Sequence, residues 1–213
     1  MKTELLDIRN MDCMELMAEF PDNHFDLAVV DPPYGIGDFV QSQSKKIHKK
    51  VTWNNSAPSL DYFEELERVS KNRIIWGANY YNLKDKGRII HDKTDWGRRN
   101  QPKELSDADI ASHSFGVNIK IFRFLWCGNV SPAGINKIIK IHPCQKPTEL
   151  YDWILANYAE KGMKILDTHL GSMSSAIACH YAGMHLTGCE LDEDYYKAGC
   201  ERVQRETRQL TFL

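Results

Sequence analysis

Residues 31–34, Asp-Pro-Pro-Tyr, combine a carboxylate, two prolines and an aromatic ring at the end of the apolar run Leu27 to Val30. Neither proline has an N–H to donate, and each fixes φ at about −65°, so the run must end in a stiff turn. Such a turn presents one carboxylate, carbonyls with no paired neighbours and an aromatic face. These groups suit a planar base carrying an exocyclic amine: Asp31 and a prolyl carbonyl accept its two hydrogens, and Tyr34 stacks on the ring. The four letters alone are equally at home in a turn that merely terminates a strand.

A second cluster begins at Lys164-Ile165-Leu166-Asp167 and continues through Thr168-His169-Leu170-Gly171-Ser172 into Ala176 to Cys179. The pattern is strand, tight turn, helix, then the strand His185 to Cys189, which makes a βαβ unit of a nucleoside-binding sheet. Gly171 lets the backbone approach a ligand closely, and Ser172 is expected to open a helix whose free N–H groups face it. Glu190 lies 19 positions after Gly171, where such folds place the acid that pairs with ribose hydroxyls. The competing reading is a βαβ unit without a ligand. A third group, His142-Pro143-Cys144-Gln145-Lys146-Pro147, precedes a helix start at Thr148.

The elements that must position these groups follow from periodicity. Leu5 to Asn10 reads as a short strand, followed by a helix with Met14, Leu16, Met17 and Phe20 as its apolar side and Pro21 as its stop. The run ending at Asp31 reads as a strand covered on both faces. Ser59 or Asp61 caps a helix bearing Tyr62, Phe63, Leu66 and Val69, and strands are predicted at 73–76, 88–90 and 119–126. The helix from Thr148 carries Leu150, Trp153, Ile154 and Tyr158 with Gly162 as its stop, and Gly183 ends the helix after the Gly171 turn. The segments 36–58 and 91–140 read as loop-rich apart from the strand at 119–126. The first holds Lys45, Lys46, Lys49 and Lys50, which suit a loop closing on a phosphate backbone or an ordinary solvated loop. The second holds Arg98 and Arg99.

Composition restricts the alternatives. A net charge of −2, with 42% hydrophobic and 26% charged residues, describes an ordinary globular domain, so a nucleic-acid partner must be met by a local patch. The six cysteines include no C-x-x-C pair, which argues against zinc and for reduced thiols in the cytoplasm. The opening MKTELLDIRNMDC has no apolar core, so no signal peptide is expected, and no run approaches the roughly 20 apolar residues of a membrane span.

Taken together, DPPY, HPCQKP and DTHLGS…CELD resemble the β group of AdoMet-dependent DNA amino-methyltransferases, with the catalytic motif first and the cofactor motifs last. The resemblance implies an α/β fold with a Rossmann-like, seven-stranded AdoMet-dependent methyltransferase sheet, circularly permuted. It implies a single domain over 1–213 with 36–58 and 91–140 as target-recognition insertions. Asp31, Pro32, Pro33 and Tyr34 become the catalytic turn, acting on a base flipped out of double-stranded DNA. Adenine N6 is the expected target, with cytosine N4 as the alternative, since enzymes of the latter kind more often begin this motif with Ser. S-adenosylmethionine is the implied cofactor, with Asp167, Gly171 and Ser172 along its methionine part and Glu190 on its ribose. His142, Gln145 and Lys146 line the same pocket, and Asp12 with the Cys13 amide meets its adenine; Asp31, Thr168 and His169 complete the set. Lys45, Lys46, Lys49, Lys50, Arg98 and Arg99 are the candidate DNA contacts. No metal is required, and a homodimer is consistent with the group.

One departure qualifies this picture. The family pattern DPFxGSGTT carries a second glycine where this chain has Met173, whose side chain is expected to crowd the cofactor's amino-acid end or narrow the turn. A catalytically weak or inactive DNA-binding or partner subunit is therefore a second reading. A methyltransferase acting on RNA or on a glutamine amide is a third. The tail Gln209-Leu210-Thr211-Phe212-Leu213 resembles a sliding-clamp-binding peptide with its last two residues exchanged, or else is a frayed or packed terminus.

Overall fold

The computed structural model of the chain describes residues 1–37, 53–94, 106–126 and 140–208. Eight strands form one sheet in the order β1 (Leu6–Arg9), β8 (His185–Cys189), β7 (Lys164–Asp167), β2 (Phe25–Val30), β3 (Ser70–Trp76), β5 (Ala108–His113), β4 (Gly87–Asp92) and β6 (Ile119–Arg123). Neighbours pair in parallel except at β5, which runs antiparallel to both β3 and β4. Strand β2, which leads into the Pro-Pro turn, comes early in the chain and β7, which leads into the glycine turn, late, yet they lie side by side at the sheet centre.

Among the described residues five helices cover the two faces: α1 (Cys13–Ala18) and α2 (Leu60–Val69) on one, α3 (Thr148–Tyr158), α4 (Ser174–Ala182) and α5 (Glu193–Thr207) on the other. Alternation along β2 divides its side chains between them. Leu27 and Val29 join the core under α3 and α4, while Ala28 and Val30 join Leu16, Met17, Tyr62 and Leu66 under α1 and α2. Burial on both faces is why the strand reads as a continuous apolar run, and each buried Leu or Val contributes about 1.5–3 kcal/mol. No helix among the described residues is long and apolar enough to cross a membrane.

Among the described residues the sheet has eight strands rather than the expected seven. Ala108–His113, inside the polar stretch read as loop, forms β5 between β3 and β4. Its Ser112 and His113 are buried polar residues, so neither apolar alternation nor an apolar run marks it in the sequence. The region 91–140 therefore supplies two strands of the sheet, β5 and β6. Helix α3 ends at Tyr158 and not at Gly162, because Ala159 is already extended at φ −132°. Helix α4 begins at Ser174, two residues after the expected Ser172. Lys45, Lys46, Lys49, Lys50, Arg98, Arg99 and the tail Gln209–Leu213 lie outside the described residues.

Candidate active site

Parallel pairing of β2 and β7, with Leu27 opposite Ile165 and Ala28 opposite Leu166, brings Asp31 and Asp167 to the same end of neighbouring strands. Open α/β sheets bind their ligands at this edge. The turn after β2 is held by residues from outside it. The Tyr34 amide donates to Asn54 Oδ1 at 2.9 Å, and the Tyr81 hydroxyl lies 2.9 Å from the Pro32 carbonyl and 2.7 Å from that of Pro33. Tyr34 itself donates from its hydroxyl to Asp31 Oδ1 at 2.6 Å. Its ring stacks on Tyr80 at 4.8 Å and 16°. Gly77, at φ +82°, approaches the ring so closely that a Cβ there would fall 2.5 Å from Tyr34 Cε1. The ring expected to stack on a base is thus already stacked within the protein, and its hydroxyl orients the Asp31 carboxylate.

A buried charge cluster surrounds Asp31. Lys146 Nζ lies 3.0 Å from Asp31 Oδ2, 3.6 Å from Asp109 Oδ2 and 3.5 Å from the Tyr34 hydroxyl. It also sits 5.4 Å above the Trp76 ring. Lys93 donates to the other oxygen of Asp109 at 2.9 Å. Burial alone would push the Asp109 carboxyl up, but Lys146 and Lys93 outweigh it and hold it at about 2. For Lys146, burial favours the neutral amine, yet Asp31 and Asp109 prevail and keep it firmly charged. His91, fully buried and donating from Nε2 to the Phe124 carbonyl, is lowered to about 4 by burial. Such a cluster is tolerated only because each ion finds an opposite partner.

The turn after β7 is built differently. Burial pushes the Asp167 carboxyl up to about 7, although Ser175 donates its hydroxyl at 2.5 Å and His169 its amide at 3.0 Å. Glu190, raised by burial, spends one oxygen on the Gly171 amide at 2.8 Å and the other on the Asp192 amide at 2.9 Å. The expected ribose ligand therefore also braces the glycine turn. Gly171 adopts φ +49° beside the His142 ring, which in turn meets Tyr195 edge-on at 4.5 Å. Thr168 bonds the Tyr62 hydroxyl at 2.7 Å and His169 Nδ1 at 2.9 Å; burial lowers His169 to about 4. Asp12 caps α1 with one carboxylate oxygen, accepting from the Met14 amide at 2.8 Å, and Cys13 is the first residue of α1. Gln145 accepts from the Ile141 amide at 3.0 Å, while its buried Nε2 has no partner among the described residues.

Met173 corrects the expectation of crowding. It takes the left-handed conformation (φ 61°, ψ 29°) that the family's glycine would favour, and its side chain is fully buried. That side chain turns into the core against Gly199 of α5, where a Cβ would lie 2.8 Å from Met173 Sδ. The glycine missing from the turn is matched by one in the helix that receives the methionine. Three residues further along α5, Arg202 donates to the Ser172 carbonyl at 2.9 Å and to Ser174 Oγ at 2.8 Å. Ser174 Oγ donates in turn to the Lys146 carbonyl at 2.8 Å. Lys146 thus touches Asp31 through its ammonium and the Gly171 turn through its backbone.

Sequence reasoning missed Asn54, Tyr80, Tyr81, Lys93, Asp109 and Arg202. The Tyr80-Tyr81 pair just past a predicted strand was a usable signal. Asp109 lay in a segment read as loop, and Arg202 looks like one more charge on a solvated helix.

Comparison with known proteins agrees with this geometry. A DNA methylase family model matches residues 122–201. A provisionally assigned methylase of Escherichia coli (strain K12), YubD, is 25% identical over 221 residues, covering 93% of this chain and 91% of that one. The Type II methyltransferase M.BglII of Bacillus subtilis is 22% identical over 246 residues, covering 91% and 68%. Among solved structures, the M1.HpyAVI–SAM complex superposes with a TM-score of 0.58 at 17% identity, covering 93% of this chain and 100% of that one. The cytosine-N4-specific PvuII DNA methyltransferase gives 0.63 at 11%, covering 98% and 93%. With its motifs at one sheet edge, the chain is similar to DNA methylases over residues 122–201 and to these methyltransferases along nearly its whole length.

Proposed function

We propose that this protein transfers a methyl group from S-adenosylmethionine to the exocyclic amine of a base in double-stranded DNA, with adenine N6 as the target. The observation that carries this reading is Lys146, 3.0 Å from Asp31 and hydrogen-bonded through its carbonyl to Ser174 beside the glycine turn. It makes the amine-binding turn and the nucleoside-binding turn walls of one site.

The residues at the end of β7 and β8 suit the donor. Asp167 is a buried carboxyl and Glu190 a half-buried one, and among the described residues neither has a cationic hydrogen-bond partner and the buried Gln145 Nε2 has no partner. A cationic nucleoside offers both the charge and the acceptors they lack. Asp12, Cys13, His142, Gln145, Lys146, Thr168, His169, Gly171 and Ser172 form the remaining contacts in this reading. S-adenosylmethionine, when bound, supplies an electrophilic methyl on a sulfonium.

An aromatic amine is a poor nucleophile because its lone pair is delocalised into the ring. Asp31 and a prolyl carbonyl accept its two hydrogens and draw electron density onto the nitrogen. Carbonyl and carboxylate oxygens each have more than one lone pair, so Tyr81 and Tyr34 keep holding these groups while the amine binds. Tyr34 fixes which way Asp31 points, and the Asp31 carboxylate faces the nitrogen as it becomes positive. Asp31 is largely buried in this cleft, its side chain 15% exposed; a base therefore reaches it only by leaving the duplex. The basic residues Lys45, Lys46, Lys49, Lys50, Arg98 and Arg99 are assigned to the DNA backbone.

Incubation with radiolabelled S-adenosylmethionine and unmodified DNA, followed by digestion to nucleosides, tests this directly. Label in N6-methyl-deoxyadenosine is the expected result. Label in N4-methyl-deoxycytidine would move the target to cytosine, and an unlabelled digest would remove the methyl-transfer reading. The inactive-subunit alternative rested on Met173, whose side chain faces the core rather than the cleft.

A further inference from the structure

We infer that Asp109 is a positioning residue for methyl transfer, the second acceptor onto which Lys146 moves when the target amine takes its place at Asp31. The inference rests on the methyl-transfer reading above. Its starting point is that Lys146 stands where the substrate amine must go: its ammonium lies 3.0 Å from Asp31 Oδ2 and 3.5 Å from the Tyr34 hydroxyl. A hydrogen-bond donor there competes with the amine for the carboxylate. A full positive charge there also opposes the charge that the amine nitrogen gains as the methyl arrives.

Lys146 is 8% exposed, and a buried ammonium cannot simply be released without a partner. Asp109 supplies one. Its Oδ2 already pairs with the same nitrogen at 3.6 Å, so a shift of well under 1 Å tightens that pair to hydrogen-bond distance. The Trp76 ring beneath offers a cation-accepting face to the ammonium. Asp109 is itself fixed: it sits on β5, paired on both sides, and Lys93 holds its other oxygen at 2.9 Å. Two acceptors within reach of one ammonium, one catalytic and one anchored by a second lysine, make Lys146 movable between them.

The test is a cycle of three variants, Asp109→Asn, Lys146→Gln and the double variant, measured beside the wild type for kcat, for KM of DNA and for cofactor affinity by calorimetry. With only Asp109 changed, Lys146 stays on Asp31, and kcat is expected to fall about 30-fold, a loss typical of a displaced catalytic contact, while cofactor affinity changes less than about threefold. Removing the ammonium as well should restore rate, so the double variant exceeds Asp109→Asn about tenfold and matches Lys146→Gln. Asp109→Glu, which keeps the acceptor, should recover part of the loss. A double variant no faster than Asp109→Asn, or an Asp109→Asn enzyme at full rate, would overturn the inference. If Asp109→Asn alone fails to fold, Asp109→Glu and the double variant decide it: a double variant slower than Lys146→Gln shows that Asp109 acts other than through Lys146. A wild type that labels no DNA would instead refute methyl transfer itself and take this inference with it.

Discussion

Asp109 and Asp167 are both carboxyls carried by strands of the sheet, and their surroundings drive them in opposite directions. Asp109 has an ammonium on each oxygen and is held at about 2; Asp167 has a hydroxyl and an amide and is pushed up to about 7. The Pro-Pro side of the cleft is therefore charge-compensated within the protein, whereas the glycine-turn side keeps a carboxyl whose partners are neutral. The scaffolding differs in the same way. The Pro-Pro turn is fixed by Asn54, by Tyr81 after β3 and by Lys146 before α3, while the glycine turn is fixed by Glu190 and by helix α5 through Gly199 and Arg202.

The largest test of this contrast is Asp31→Ala. Removing the acceptor should lower kcat about 10³-fold while leaving cofactor affinity within about threefold, as read by methyl incorporation and calorimetry. Equal losses in both would mean the two sides are not separable. Next, Met173→Gly should destabilise the fold by about 2 kcal/mol in urea unfolding. The lost burial of a core methionine costs about 2–5 kcal/mol, and release from the left-handed conformation returns about 1–2. Its cofactor affinity should not improve, since the side chain points away from the turn; tighter binding would restore the crowding explanation.

The cofactor side should also show a pH dependence of its own. A cationic donor binds the ionised form of Asp167, whose free carboxyl titrates at about 7. Affinity should thus rise with pH and be about tenfold weaker at pH 6 than at pH 8. Asp167→Asn should flatten that profile, and an unchanged slope would detach Asp167 from the donor. The smallest expected effect is Tyr81→Phe, which deletes one hydroxyl shared by two prolyl carbonyls and should cost about 1 kcal/mol of stability. No loss would show that the prolines alone keep the turn in shape.

How far the chain could be read follows from which forces are local. The strands ending at Asp31 and Asp167 are short apolar runs bounded by turn residues, a pattern that burial on both faces imposes on each strand separately. Gly183 and the helix over 60–69 were legible for the same reason, since caps and amphipathic spacing are decided within a turn or two. Strand β5 was not: Ala108–His113 is polar, and its stability comes from hydrogen bonds to β3 and β4 on either side. The direction of Met173 was equally hidden, because it depends on a glycine 26 positions later in another helix.

By itself the sequence determined the order of chemical motifs, the types of group at each turn and the elements that carry them, because local sterics and periodicity specify those. Only the tertiary structure decided that Lys146 stands on Asp31 with Asp109 beside it, that Tyr34 stacks on Tyr80, and that α5 grips the glycine turn. Each of these contacts joins residues far apart in the chain, and only the packing of the sheet and its helices brings them within a few ångströms.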